Sequence, residues 1–257
     1  MKKNVILVVA LLCAASFLTA QTADQIVKSS RDRITATTVS TRSRMVIQAK
    51  DGSTTERLLD QYSSDSGDTT RTMIVFQKPA SVAGTRFLTI EKDNGTGDRW
   101  MFLPALGKVR RIAAAEGSGS FVGTDFSFDD ISSANRNLIA DTHVLKGEEN
   151  LGGKACYIIE STPKDTSYQY SKMIQWIEKD GFLSKKIELY DKKGTLIKQV
   201  DILSTKDFQG RITPTETKMS TLADGTSTTI FIDIMKYDDP IPDAVFTTNY
   251  LSTGRVR

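Results

Sequence analysis

Along most of the chain apolar and β-branched residues alternate with polar ones. Stretches such as "TTRTMIVFQ" (69–77), "GTRFLTIEK" (84–92), "KMIQWIEK" (172–179) and "TSTTIFIDIMKY" (226–237) are rich in Thr, Val and Ile. That composition and period are those of β-strands. Similar stretches cover 38–49, 156–162, 182–191, 195–203 and 211–221. Turn pairs separate them at short intervals: Asp51-Gly52, Asp93-Asn94-Gly95, Gly152-Gly153, Asp180-Gly181, Lys193-Gly194 and Asp224-Gly225. From Tyr170 onward the pattern is a meander of hairpins, with no alternating strand–helix rhythm. One stretch differs. Ala23, Ile26, Val27, Ser30 and Ile34 recur at helical spacing, which predicts an amphipathic helix starting near Thr22 or Asp24.

Two segments break the alternation. In "RWMFLPALGKVRRI" (99–112) four large apolar residues run into Pro104, and a basic strand with Lys108, Arg110 and Arg111 follows. Residues 113–123 are then small and flexible, and "TDFSFDDISSANRNL" adds Phe126 and Phe128 among Asp125, Asp129 and Asp130. This is long for a hairpin loop. It predicts an excursion that packs aromatic residues over an opening in the sheet. The final "DAVFTTNYL" fits a short helix or strand that closes the sheet. The fold expected is therefore mainly β with some α: one N-terminal helix, then a strongly curved antiparallel sheet of about ten strands in one domain, 21–257.

Composition changes this picture little. The chain has 257 residues, 25% of them charged, with a net charge of +3. The basic residues are dispersed, so no nucleic-acid partner is expected. The N-terminus adds more. Lys2 and Lys3 precede an apolar run, Val5–Leu12, and a small-residue site at Ala20. That is the layout of an export signal, residues 1–20, cleaved near Ala20. Lipid attachment at Cys13 is not expected, because bulky Leu12 precedes it in mid-run. Cys156 is then the one remaining cysteine, expected as a buried apolar residue.

Candidate chemistry is sparse. The single histidine, His143, has no serine elbow or zinc-ligand partners at a recognisable spacing. "GSGS" (117–120) lacks the frame of a phosphate loop. "DNGTGD" misses calcium-loop spacing and reads as a turn. No enzyme, metal or cofactor is expected. "DFSFDD" has oxygen ligands for calcium, but pairing of Asp125, Asp129 and Asp130 with Arg99, Arg110 and Arg111 is the favoured reading.

What stands out is apolar surface. Strand alternation puts Trp100 and Phe102 on one face and Met101 and Leu103 on the other, so both faces need cover. A curved, unclosed sheet lined by such residues suits a hydrophobic ligand. Phe76, Phe87, Ile90, Trp100, Phe102 and Leu103, with Phe121 and Phe126 from the excursion, are expected to line that cavity. Arg99, Arg110 and Arg111 either pair with Asp125 and Asp129 in a movable flap or meet an anionic headgroup.

The stretch from Phe76 to Ile131, with Gly84-Thr85, Trp100, Leu103-Pro104, Arg110-Arg111-Ile112, Phe121, Gly123, Asp125 and Asp129, resembles the bacterial outer-membrane lipoprotein-sorting family of the LolA/LolB-like superfamily. The resemblance implies an unclosed antiparallel half-barrel with helices covering the open side. It implies periplasmic carriage of lipid-modified proteins or lipids by a monomer without a cofactor, working with an inner-membrane transporter of ABC or RND type. Two further roles share the superfamily: a regulatory sensor of the RseB kind, and a lipid-binding accessory of an RND exporter. One departure concerns the lid. LolA has an Arg-Pro pair on an early strand, where this chain has Lys78-Pro79, so the arginine latch does not carry over.

Overall fold

The computed structural model describes residues 21–92, 97–132 and 138–256. The leader expected at 1–20, with Cys13, and the turn expected at Asp93-Asn94-Gly95 lie outside them. Helix α1 (Ala23–Asp32) begins where its spacing predicts. Thr22 caps it, accepting from the Gln25 amide, while the Gln25 side chain accepts from the Thr22 amide. Its apolar stripe, Ile26 and Val27, is buried against Ile159 and Ile177.

Among the described residues thirteen strands form one antiparallel sheet. The first six are β1 (Thr38–Gln48), β2 (Thr54–Asp65), β3 (Thr69–Lys78), β4 (Arg86–Lys92), β5 (Gly97–Leu103) and β6 (Lys108–Arg111). After the excursion come β7 (Asp141–Leu151), β8 (Lys154–Pro163), β9 (Lys172–Glu178) and β10 (Ser184–Tyr190). The last three are β11 (Leu196–Phe208), β12 (Arg211–Thr221) and β13 (Thr226–Tyr237). Each group is a meander, and β13 pairs with β1 to join the two. The spatial order is β6-β5-β4-β3-β2-β1-β13-β12-β11-β10-β9-β8-β7. Consecutive strands β6 and β7 are therefore opposite edges of the sheet.

The expected count of about ten strands is too low, and the omissions have a cause. β2, "TTERLLDQYSSD", does not alternate. Its partner register slips between Leu58 and Leu59, and both of its faces carry polar residues. On one face Asp60 accepts from Arg42 at 2.7 and 2.9 Å and from Gln77. On the other, Gln61 and Ser63 border a polar recess. β7 is an edge with few buried residues and a slip between Leu145 and Gly147. A strand with little apolar surface to bury leaves little period in its sequence.

Laid flat, thirteen strands would span roughly 55–60 Å. One buried cluster nevertheless draws on Met45 (β1), Leu59 (β2), Ile74 and Phe76 (β3), Phe87 (β4), Met101 (β5), Leu189 (β10) and Met219 (β12). The sheet therefore curls around this cluster, which defines its inner face, and the barrel stays open between β6 and β7. α1 and the segment 121–132, including the short helix α2 (Phe128–Ser132), lie on the inner side.

The expectation that helices cover the open side holds only for these. The C-terminal helix α3 (Thr248–Thr253) packs on the outer face instead. There Val245, Phe246 and Leu251 meet Met73, Val75 and Leu88, with Ile90, Trp100, Phe102 and Tyr250 around them. Arg86 Nη1 donates to the Leu251 carbonyl at 3.0 Å, and its guanidinium lies over the Phe102 ring. α3 ends at Gly254, whose φ of 68° suits glycine; a Cβ there would also collide with Arg86.

Replacing Phe246 with Ala should cost about 3–5 kcal/mol, because the side chain is 3% exposed in a packed layer. In a Trp176→Phe background the same change should shift Trp100 emission to the red. Denaturant melts and emission spectra check both. Unchanged Trp100 emission would contradict the outer-face packing.

Candidate functional site

After β6 the described chain runs across the inner face. It inserts Phe121, Phe126 and Phe128 there. Phe121 packs edge-on to Phe87 (centroids 5.1 Å) and to Phe128 (5.7 Å), and tilted against Phe76 (5.8 Å). Between Phe121 and Phe126 the chain turns tightly. The Phe121 amide donates to the Phe126 carbonyl, and Val122 adopts a φ of 52°. A β-branched residue in that region is strained, and the aromatic packing on both sides of the turn holds it.

Two buried anchors fix this plug to the far half of the sheet. The Asp125 carboxylate accepts from the hydroxyls of Thr221 and Thr228, each at 2.7 Å, and of Thr226. The Asp125 amide donates to Thr228 Oγ1, and Lys198 Nζ donates to the Asp125 carbonyl at 2.6 Å. Asp130 accepts from the Tyr170 hydroxyl (2.8 Å), Lys198 Nζ (3.2 Å), Gln169 Nε2 (3.2 Å) and the Ser127 amide (2.8 Å). Burial, with Asp130 alongside, pushes the Tyr170 phenol far above its ordinary range.

A third contact ties α2 to the near half. Arg99 Nη1 donates to Asp129 Oδ1 at 2.5 Å, and both side chains are largely buried. Gly117 allows this approach, since a methyl there would overlap the Asp129 carboxylate. Glu91 belongs to the same group. Burial raises its carboxyl from 4.5 to about 7; the Arg99 guanidinium opposes that shift and the Asp129 charge adds to it.

Only one of the expected arginine–acid pairs, Arg99 with Asp129, therefore forms as expected. Arg110 pairs with Glu116 and Arg111 with Asp98, both on the exposed edge strand β6. Asp125 takes three threonine hydroxyls and no arginine. The correction has a geometric reason: the plug runs inward beneath the sheet, while β6 stays exposed at its edge. Lys78, at the latch position, is exposed at the end of β3.

The expected cavity residues also divide. Ile90, Trp100 and Phe102 face outward under α3 and cannot line an inner cavity. Phe76, Phe87 and Phe121 are 0% exposed and form core, and Leu103 packs against that core. Phe126 is the one that reaches a cavity. It lines a space of about 320 Å³ beneath the other half of the sheet.

That space has an apolar floor of Met173, Ile187, Leu189, Val200 and Met219, on β9–β12. Val27 of α1 and Phe126 of the plug flank it, and Tyr168, Tyr170, Gln175, His143 and Ser161 add polar groups. His143 Nε2 lies 3.2 Å from the Leu138 carbonyl, which only accepts, so Nε2 carries the proton. Nδ1 lies 2.7 Å from the Ser161 hydroxyl, which can donate to it or accept from it. The sequence hid this cavity because β9–β12 alternate inward and outward like any half-buried strand. Which half of a sheet stays unfilled is decided by where the plug lands.

A larger recess of about 570 Å³ lies between α1 and the ends of β1–β4. It is lined mainly by polar groups, including Lys28, Gln61, Ser63, Asp65 and Glu91. The smaller cavity is the better apolar site. Among the described residues no cluster of three or more His, Cys, Asp or Glu side chains could hold a metal ion.

Two outcomes follow. Ionising Glu91 is costly only in the folded state. Stability should therefore fall as pH rises from about 4.5 to about 7 and level off above, relative to Glu91→Gln. The change should be roughly 1–3 kcal/mol at ~1.4 kcal/mol per unit. Parallel melts of the two proteins across this range test it, and equal pH profiles would refute it. Asp125→Ala leaves three hydroxyls without their acceptor and should cost about 2–4 kcal/mol with little salt dependence. Denaturation at low and high salt checks that figure.

A family model described as "Uncharacterized protein" matches residues 68–253. No curated protein matches the chain. Among solved structures, a DUF1329 family protein from Desulfovibrio piger is 30% identical, with a TM-score of 0.85; the match covers 89% of this chain and 97% of that one. A protein described as an outer membrane lipoprotein-sorting protein domain, from Vibrio parahaemolyticus, is 25% identical, with a TM-score of 0.84 and coverage of 90% and 98%. A LolA superfamily protein from Nitrosomonas europaea, 22% identical, shares the fold with a TM-score of 0.72 over 90% of this chain and 100% of that one. The unclosed antiparallel sheet is thus a fold shared with these structures, and the chain belongs to the DUF1329 family.

Proposed function

We propose that this protein is an exported periplasmic carrier. It binds an acyl chain of a lipid or lipid-modified protein on the inner face of the half-barrel and shuttles it towards the outer membrane. The observation that carries the reading is the 320 Å³ cavity, with its apolar floor on β9–β12 and with α1 and the plug on its flanks. The similarity to the lipoprotein-sorting domain supports the same reading. Each buried CH₂ contributes about 0.8 kcal/mol, so a stretch of about ten carbons yields several kcal/mol after ordering costs. That is the range of reversible binding a shuttle needs. No catalytic step is part of this reading. Transfer to and from a transporter of ABC or RND type is the accompanying proposal.

A second reading is favoured by one observation. Phe121 and Phe128 fill the β1–β6 half with the chain's own side chains. A sensor of the RseB kind would keep its inner face filled in this way and respond when the plug is displaced.

Native mass spectrometry should find co-purified lipid, and displacement of a fluorescent fatty-acyl probe should report binding. Ile187→Phe fills the cavity with an apolar group and should weaken binding about tenfold or more with little loss of stability. Met173→Asp should do the same more severely. Trp100 emission should not respond to ligand, since Trp100 faces outward. Undiminished probe binding by a folded Ile187→Phe protein would sink the assignment of this cavity.

A further inference from the structure

The inner face of the sheet changes character along three strands. On β2, β3 and β4 the inward residues include packed core: Leu59, Ile74 and Phe87. Beyond them the same face turns polar. Gln61 begins the change beside Ile74. The cross-strand register then aligns Ser63 with Thr72 and Thr72 with Thr89, and after that Asp65 with Thr70 and Thr70 with Glu91. These are two complete rows without an aliphatic or aromatic residue, on positions that strand alternation turns inward.

The rows border the recess of about 570 Å³, and Lys28 and Asp32 of α1, paired one helical turn apart, wall its other side. Polar side chains around a dry void would forgo hydrogen bonds, so a space with this lining holds water or a polar guest. Its volume lies within the range of about 300–1,000 Å³ common for small-molecule sites. The lining chemistry narrows the guest. Among the described residues that line it, three cations, Lys28, Arg31 and Lys92, accompany three acids, Asp32, Asp65 and Glu91, so neither sign of charge is favoured. Glu91, whose carboxyl burial raises to about 7, both donates and accepts below that pH. Hydroxyls and the Gln61 amide supply the other polar side chains, and no aromatic ring among the described lining residues offers a stacking face.

We infer that this recess binds a neutral, hydroxyl-rich group, such as a glycosyl unit, held by hydrogen bonds rather than by ring stacking. The recess adjoins the apolar cavity. Arg31 lines both, and Leu138 lines the recess while its carbonyl meets His143 of the cavity. An amphiphile with its chain in the cavity and a sugar headgroup would fill both spaces. That joint occupancy rests on the carrier reading; the recess as a site for hydroxyls does not.

The test uses the chain from Gln21 onward, with every amphiphile below its micelle concentration. Dodecyl maltoside and dodecyl phosphocholine share one chain and differ in headgroup, a neutral polyol against a zwitterion. Each competes with a fluorescent fatty-acyl probe, and free maltose is titrated by calorimetry. Dodecyl maltoside should bind about tenfold more tightly than dodecyl phosphocholine, the scale of one or two net hydrogen bonds. Gln61→Leu and Thr70→Val nearly keep the side-chain shape, at positions that line the recess and not the apolar cavity. Each, checked for an unchanged melt, should erase that preference and leave the phosphocholine unaffected. Equal binding of the two amphiphiles by the unaltered protein would overturn the recess proposal and leave the carrier reading intact. So would a preference that survives both substitutions. If neither amphiphile nor the acyl probe binds, the carrier reading fails, and the maltose titration alone decides the recess. Saturable maltose binding that is lost in Thr70→Val then assigns the recess to a free sugar, and no maltose binding overturns the proposal.

Discussion

Most of the inner architecture depends on one topological constraint: β6 and β7 are neighbours in sequence and opposite edges in space. The pairing of β1 with β13 sets it, because that ladder joins the two meanders and pushes their free ends apart. The connecting chain must then cross the open side. Whatever it carries becomes the filling of the half-barrel. Here it carries three phenylalanines, which pack, and three aspartates, which need partners. Burying a carboxylate without them would cost several kcal/mol. The partners come from both halves: Arg99 on β5, Lys198 on β11, and three threonines around the β12–β13 hairpin. The plug is thereby a cross-brace as well as a filling.

The brace explains why the inner face is divided. The β1–β6 half is closed by ring-on-ring packing, and its contacts resemble an ordinary core. The β7–β12 half has α1 above it, with Phe126 and Asp130 reaching in from the plug, and there the space remains. Phe126 touches both regions, since it belongs to the packed cluster and also lines the cavity. A movement of the plug would therefore change the cavity and the core together. The strain at Val122 and the raised Glu91 carboxyl both sit in or beside this segment. Strain and perturbed charge concentrated on one segment mark it as the part of the inner face where small energies alter the packing.

The outer face follows a different logic. The β3–β5 side is apolar and covered by α3, whereas the β8–β11 side is wet and charged. On the latter, Lys186 lies 3.7 Å from the Trp176 ring centroid and pairs with Glu188, and Glu160 meets Lys146 and Lys172. These exposed and half-exposed pairs add little stability individually. Their effect is to let a strand with an apolar inner face show water a polar one, which is the alternation that made these strands legible.

Period alone determined much of this protein. The N-terminal helix, most of the strands, the meander after Tyr170 and the two-faced burial around "WMFL" follow from local spacing, because helix and strand periods bind each side chain to a face. That the segment after β6 is an aromatic excursion was also legible, from its length and its phenylalanines. The strands β2 and β7 were not, since one is polar on both faces and the other is an edge. Nor did the sequence show which face of β5 looks inward. That depends on α3 taking the outer side, and it moved Trp100, Phe102 and Ile90 away from the cavity. The partners of Asp125 lie about a hundred positions away on a hairpin, whereas those of Arg110 and Arg111 are near in sequence, Glu116 just after β6 and Asp98 on β5. Local pattern reports which residues share a face. Only the closure of β1 on β13 decides which faces meet, and so where the charges pair and where the space is left.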